Sequence, residues 1–291
     1  LATLRTTNKK TLEKIPLEQK VQMFQQRCDR QIFRTLQRQD RLTLDSVFHV
    51  SEFCADIQDG MLVKESKWSV DYLYMDRQEK INETIRSQLV DWLLQVQYNF
   101  KLLPESLFLT CNIIDRYFQS RQISSREVQL VAVAAMLIAT KYEEIYPPQL
   151  QDYVHISENV FTGDQILDME LKILVELDFD MQLTSAYRFL ERFAKLCRLD
   201  SVTTFLAQFM LELGLLDSKM HQFAASLQAV SAIYLAGKFL QLYNGGDAVP
   251  GLGATALVHE LGLSKQYSPE EVRNCASCFE QLATLIQTSA L

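Results

Sequence analysis

Helical periodicity runs through almost every segment after residue 50, and it limits this chain to an all-α fold. Apolar residues recur at steps of three and four, and convincing two-residue alternation is absent. Helix-start signals recur at Asn82, at Ser124 with Glu127, at Thr162 with Gln165, at Asp200, and at Ser268 with Glu271. With breakers such as Pro104 and Pro147-Pro148, these signals predict helices near 51–62, 83–100, 105–119, 125–144, 148–154, 163–177, 184–196, 201–215, 222–242, 254–262 and 269–287.

A weak internal echo predicts two repeats. AAMLIATK (134–141) and SAIYLAGK (231–238) share small residues at matching places and end in lysine. Each is the third predicted helix in a group of five. The sequence therefore predicts two stacked five-helix bundles, with domains at 51–180 and 181–291.

The first fifty residues form a separate extension, 1–50, rich in glutamine. Within it, one apolar stripe predicts an amphipathic helix: Leu17, Val21, Phe24, Cys28, Ile32 and Leu36. Such a helix packs on its own domain or binds a partner, and the pattern leaves both possibilities open.

The charge balance and the motif content exclude several functions. A net charge of −7 and a pI near 5.2 argue against a nucleic-acid or anionic-membrane partner. The longest apolar run, Leu130 to Ala139, is too short to span a bilayer. No hydrolase, metalloprotease or nucleotide-binding motif occurs, so we expect no catalysis, no cofactor and no metal. Six cysteines are too sparse for a disulfide scaffold and favour the nucleus or cytoplasm.

Two charged residues fall on apolar helix faces. Arg86 projects from the middle of the wide apolar arc formed by residues 84–100. Asp115 shares its stripe with Phe108 and Phe118. A buried charge must be paired, so we predict an Arg86–Asp115 bridge between adjacent helices, with a structural role.

A second pair is predicted at the end of the apolar run. Glu170 has apolar neighbours on both sides along its helix and needs a cation, for which Lys141 is the candidate. Glu143 and Glu144 lie near a helix C-terminus, where the helix dipole disfavours anions. Rules broken without local compensation are typical of functional sites. For the two glutamates a solvated helix end is an equal alternative.

The chain resembles the cyclins, and most of all the B-type, mitotic group. The resemblance rests on four motifs and is strongest over residues 50–180: IRSQLVDWLLQVQ (85–97), IIDRYF (113–118), VQLVAVAAMLIATKYEEIYPP (128–148) and ILDMELKIL (166–174). The second half fits the weaker second repeat of the family.

The resemblance implies a regulatory subunit that binds and activates a cyclin-dependent kinase as a heterodimer, in cell-cycle control. It implies that Lys141 and Glu170 hold the αC helix of the kinase, and that Arg86 and Asp115 are the internal bridge. Further kinase contacts are implied at Tyr142, Ile138, Leu174, Phe179, Phe53 and Ile57.

The resemblance also implies a substrate-docking patch for RxL-type peptides. Its positions here are Ile85, Gln88, Leu89, Trp92, Gln95 and Gln129. Gln88 places an amide where the family has an apolar residue, and Gln95 lacks the carboxylate of A-type members. We therefore expect weak or altered docking.

The resemblance is also compatible with two other classes of protein. A cyclin-fold relative that binds DNA is opposed by the acidic balance. A cyclin-fold scaffold that does not activate a kinase is the alternative to the kinase regulator.

Overall fold

The computed structural model describes residues 53–243 and 251–289 of the 291-residue chain. Within these ranges the chain forms α-helices and short 3₁₀ helices, and no β-strand. The α-helices are α1 (Cys54–Lys64), α2 (Glu83–Phe100), α3 (Pro104–Ser120), α4 (Val128–Glu143), α5 (Leu150–Ile156), α6 (Gly163–Glu176), α7 (Ala186–Cys197), α8 (Ser201–Leu215), α9 (Ala225–Tyr243), α10 (Ala254–Glu260) and α11 (Pro269–Ser289). The 3₁₀ helices are Glu65–Trp68, Tyr74–Arg77 and Ser218–Gln222. The predicted all-α class is confirmed.

The chain divides into two compact units, residues 1–59 and 60–291. Of the first unit, the structure describes only residues 53–59, where α1 begins. The amphipathic segment predicted between Leu17 and Leu36 lies outside the described residues. The proposed domain limits at 50 and 180 stay predictions.

Helices α2–α6 and α7–α11 form two five-helix repeats in the second unit, as the internal echo predicts. The third helix of each repeat is central: α4 packs against α3 and α6, and α9 packs against α7, α8 and α11. Every residue of α4 from Val131 to Thr140 is buried. Alanines at these crossings, such as Ala134 and Ala232, are fully buried and let the neighbouring helices approach closely.

The repeats also carry matching ion pairs. Lys141 Nζ on α4 lies 2.7 Å from Glu170 Oε1 on α6. Lys238 Nζ on α9 lies 2.7 Å from Glu280 Oε1 on α11. In both repeats a lysine of the central helix therefore meets a glutamate of the fifth helix.

Most of the predicted helix starts are formed by side-chain caps. The side chains of Asn82 and Asp200 accept from backbone N–H groups three residues ahead, and Thr162 with Gln165 forms a full capping box. Ser124 is the exception. Ser124 Oγ donates to the carboxylate of Glu127 in the turn before α4, and α4 itself begins only at Val128. The predicted start at 125 is therefore three residues early.

None of the helices in the described ranges is both long and apolar enough to cross a lipid bilayer. Among residues 53–243 and 251–289, no three histidine, cysteine, aspartate or glutamate side chains cluster in a way that could hold a metal ion.

Candidate functional site

The Lys141–Glu170 pair lies on the surface of the first repeat. Lys141 Nζ donates to both carboxylate oxygens of Glu170, at 2.7 and 2.8 Å. Lys141 is in the last turn of α4, where the helix dipole stabilises a cation. The Lys141 side chain is 48% exposed and that of Glu170 is 12% exposed. The predicted pair is formed, and its lysine stays accessible to another molecule.

The chain around this pair exposes large apolar side chains. Tyr142 is 53% exposed, and Phe179, just after α6, is 63% exposed. Ile145 and Tyr146, which follow α4 before the two prolines, are 85% and 92% exposed. The sequence analysis did not single out these two residues, although they belong to the run KYEEIYPP that carries the resemblance.

The other predicted contacts differ in exposure. Leu174 on α6 is half-buried, so part of it is accessible. Ile138 is only 4% exposed and packs in the core of the first repeat. Its role as an apolar contact for a partner stays a prediction. Phe53 and Ile57, described within their own unit, are each 46% exposed.

Glu143 and Glu144 are neither a solvated helix end nor free for a partner. Glu144 Oε1 accepts hydrogen bonds from the backbone N–H of Leu103 and from Ser106 Oγ, both at 2.7 Å. It therefore caps the N-terminus of α3. Glu143 lies 3.6 Å from Arg188 on α7, and burial raises the pKa of Glu143 while Arg188 opposes that rise.

We expect Glu144→Ala to lower the free energy of unfolding by about 1–2 kcal/mol, because α3 loses both a cap and a favourable N-terminal charge. Urea unfolding followed by circular dichroism measures the change. Glu79→Ala is the matched control, because Glu79 is exposed and its side chain forms no hydrogen bond or ion pair in the described part of the chain. Equal losses in the two variants would contradict the capping role.

Arg86 and Asp115 form the predicted bridge, fully inside the protein. Each side chain is 1% exposed. Arg86 Nε donates to Asp115 Oδ1 at 2.7 Å, and Arg86 Nη2 donates to Oδ2 at 2.6 Å. Tyr74 OH adds a third donor to Oδ1 at 2.5 Å. This bidentate geometry compensates both buried charges.

The bridge also joins the two repeats, which the sequence did not reveal. Arg86 Nη1 donates to the carbonyl oxygen of Leu215, at the end of α8, at 2.8 Å. His221 Nε2 lies 2.8 Å from Asp115 Oδ2, to which it donates. One buried ion pair of the first repeat thus holds a helix end and a 3₁₀ helix of the second.

The pH dependence of stability follows from Asp115. Burial alone would raise the pKa of Asp115, but Arg86 and then His221 hold that pKa well below its usual range. Because the pKa is lower in the folded than in the unfolded state, ionised Asp115 stabilises the fold at pH above about 4, and this contribution is lost as the pH falls further.

We expect Asp115→Asn to be less stable at pH 7 and to lose less stability than wild type between pH 5 and pH 3. Parallel stability curves in urea titrations would contradict this.

The residues of the predicted docking patch lie on α2 and α4. Leu89 is 7% exposed; Ile85 and Trp92 are half-buried and pack against the core, while Gln88 and Gln95 are exposed. Gln129 is half-buried on α4. A carboxylate lies beside Gln95 after all, since Gln95 Nε2 donates to Asp91 Oδ2 at 3.0 Å. Peptide docking at this patch stays a prediction.

Comparison with known proteins places the chain in a family. Residues 56–182 match the family described as "Cyclin, N-terminal domain", and residues 184–291 match "Cyclin, C-terminal domain". The chain therefore belongs to the cyclin family.

Its relatives include mitotic members of that family. A G2/mitotic-specific cyclin-B of Dictyostelium discoideum is 41% identical over 187 residues, which are 64% of this chain and 43% of the relative. Cyclin-A1-1 of Arabidopsis thaliana is 34% identical over 281 residues, covering 91% of this chain and 58% of the relative. The chain spans about half the length of the curated relatives it matches first. The predicted likeness to B-type cyclins is confirmed.

The fold is also that of a solved cyclin. The X-ray structure of a viral cyclin from herpesvirus saimiri matches with a TM-score of 0.63, and the match covers 79% of this chain and 97% of that structure. The two sequences are 16% identical, so this likeness concerns the fold alone.

Proposed function

We propose that this chain is the regulatory subunit of a cyclin-dependent protein kinase in cell-cycle control, with no catalytic role of its own. Membership of the cyclin family through both domains supports a kinase partner. The names of relatives such as the G2/mitotic-specific cyclin-B support a role in division.

One observation carries the proposal: an accessible ion pair lies in a part of the chain rich in exposed aromatic residues. Tyr142, Tyr146 and Phe179 are all more than half exposed, so the fold of this chain does not bury these large side chains. Aromatic residues are enriched in protein interfaces, where they become anchors on binding. The half-exposed Lys141 and its partner Glu170 add the polar contacts that fix the orientation of a docked helix.

The mechanism that we propose is a shift of the kinase conformation. A protein kinase is active only when its β3 lysine pairs with the αC glutamate and its activation loop is ordered. Lys141 and Glu170 would bind backbone groups of the αC helix in its active position. Because a ligand that prefers one state raises the population of that state, binding activates the kinase.

The test is to mix the chain with a purified cyclin-dependent kinase. We expect the two to co-elute in size-exclusion chromatography and the mixture to phosphorylate a histone peptide far faster than the kinase alone. Co-elution without activation would favour the cyclin-fold scaffold instead. Absence of co-elution with any member of the kinase family would contradict the proposal.

We also propose that the chain binds RxL-type substrates and that it is distributed between the nucleus and the cytoplasm. The first would use the patch around Leu89 and Trp92, with Asp91 as the carboxylate beside Gln95.

A further inference from the structure

A cleft of about 370 Å³ opens between the two repeats. Its walls come from the 3₁₀ helix Glu65–Trp68, from α3, from the linker 183–186, from the 3₁₀ helix Ser218–Gln222 and from the start of α9. This volume is within the usual range of ligand sites, roughly 300–1,000 Å³. The cleft lies on neither the surface around Lys141 nor the predicted docking patch, and no residue of those two sets lines it.

Large apolar side chains form much of the wall, among them Trp68, Phe108, Leu215 and Phe223. Such walls accommodate the methylene stem of a long side chain and the flat face of a guanidinium group. Lys67 Nζ already lies 4.8 Å from the centre of the Trp68 ring. Lys67 is bound to Asp180 at 2.8 Å, however, and does not line the cleft.

The charged groups of the wall are unbalanced. The described lining contains Glu65, Asp115 and His221, and neither lysine nor arginine. Asp115 is neutralised by Arg86 behind the wall. Glu65 accepts from the backbone N–H of Ser226 at 2.9 Å, from Ser226 Oγ at 3.1 Å and from Tyr267 OH at 3.4 Å, but it forms no ion pair in the described part of the chain. Burial raises the pKa of this Glu65 carboxyl.

Two buried polar atoms of the wall have no hydrogen-bond partner among the described residues: the acceptor Oδ1 of Asn112 and the donor Nε1 of Trp68. Asn112 is nine-tenths buried, and its Nδ2 donates to the carbonyl oxygen of Trp68 at 3.1 Å, which leaves Asn112 Oδ1 without a partner. His221, which also lines the cleft, uses Nε2 to donate to Asp115. To whatever enters it, the cleft thus offers one carboxylate without an ion-pair partner in the described part of the chain and one unpartnered acceptor, Asn112 Oδ1.

We infer that this cleft binds an arginine side chain of a partner polypeptide. A guanidinium group supplies several donors in one plane, which suits the Glu65 carboxylate and the unpartnered Oδ1 of Asn112, and its stem suits the apolar wall. This inference goes beyond kinase binding and holds whether or not the chain binds a kinase. It is therefore tested on the chain alone.

Fluorescence provides a direct readout, because the chain has two tryptophans, and one of them, Trp68, lines the cleft. In a Trp92→Phe background the emission comes from Trp68. We expect the peptide acetyl-Ala-Arg-Ala-amide to change this emission in a saturable way. The same peptide with citrulline, the neutral isostere of arginine, is expected to bind about tenfold more weakly. This is the difference expected when one hydrogen bond between charged groups is replaced by a neutral one. Equal responses to the two peptides, or none to either, would refute the site.

Two variants locate the binding. Glu65→Gln keeps the size of the side chain and removes its charge, so the preference for arginine over citrulline should disappear. Ser66→Arg places a tethered guanidinium at the exposed edge of the cleft, where it can pair with Glu65 in place of the peptide, and should block the arginine peptide while Glu65 itself is kept. Glu79→Gln, which changes the net charge equally at a remote exposed position, should leave the preference intact. If Glu79→Gln abolished the preference, or if both cleft variants retained it, the inference would be wrong.

Discussion

Replacement of Arg86 by alanine is expected to lower the melting temperature by about 10 °C. The change strands the buried carboxylate of Asp115, which is 1% exposed and loses both donors of its bidentate partner. Breaking a buried pair in this way costs about 3–5 kcal/mol, and in a protein of this size each kcal/mol corresponds to about 2–4 °C. Differential scanning calorimetry measures the shift.

The matched control is Arg121→Ala. Arg121 also pairs with a carboxylate of a neighbouring helix, Glu176, but the arginine side chain is 62% exposed. Exposed pairs contribute about 0–1 kcal/mol, so the control should melt within a few degrees of wild type. If the two variants melted alike, the bridge would not be the structural element that its burial indicates.

Arg86→Ala should also weaken the connection between the repeats. The variant removes the hydrogen bond to the carbonyl of Leu215, and it leaves His221 as the remaining link from Asp115 to the second repeat. Calorimetry distinguishes a shifted single transition from two separate ones. Two transitions would show that this bridge makes the repeats unfold together.

The sequence was sufficient to predict the pairs whose members stand out locally. Arg86 and Glu170 were recognised because each is a charge among apolar neighbours on a helix of regular period. A helical wheel gives the direction in which a side chain points, and a charged side chain that points into the core needs a partner of opposite charge. That argument identified Asp115 and Lys141 as partners, and the structure joins both pairs.

The sequence was insufficient where a partner is distant or is a backbone group. Nothing near Asp115 in the chain indicates His221, and no pattern shows that Arg86 would bond the carbonyl of Leu215. Glu144 was misjudged for the same reason. Its carboxylate accepts a hydrogen bond from the N–H of Leu103, and the two groups meet only when α3 and α4 pack together. The exposure of Ile138 could not be predicted either, because α4 is apolar on all sides and its periodicity could not show which side faces outward.

Lys141→Ala and Glu170→Ala are expected to weaken kinase binding by about 10- to 100-fold while leaving the fold intact. Each removes charged hydrogen bonds that the proposed complex would make, worth about 1.5–3 kcal/mol. The folded chain loses little, because an ion pair with a half-exposed lysine contributes about 0–1 kcal/mol. Surface plasmon resonance with immobilised kinase gives the affinities, and circular dichroism verifies the fold.

The second repeat provides the control for these variants. Lys238 and Glu280 form an ion pair of the same length between the corresponding helices, with a lysine exposed to the same degree. Lys238→Ala should therefore change stability as little as Lys141→Ala does and should not change kinase affinity. Glu280→Ala should likewise leave kinase affinity unchanged, although Glu280 is 39% exposed and Glu170 only 12%. A charge swap, Lys141→Glu with Glu170→Lys, separates the two roles further, because it restores the pair within the chain but reverses the charges offered to a partner. Recovery of kinase affinity in the swapped variant would show that the pair serves the fold of the first repeat and not the partner.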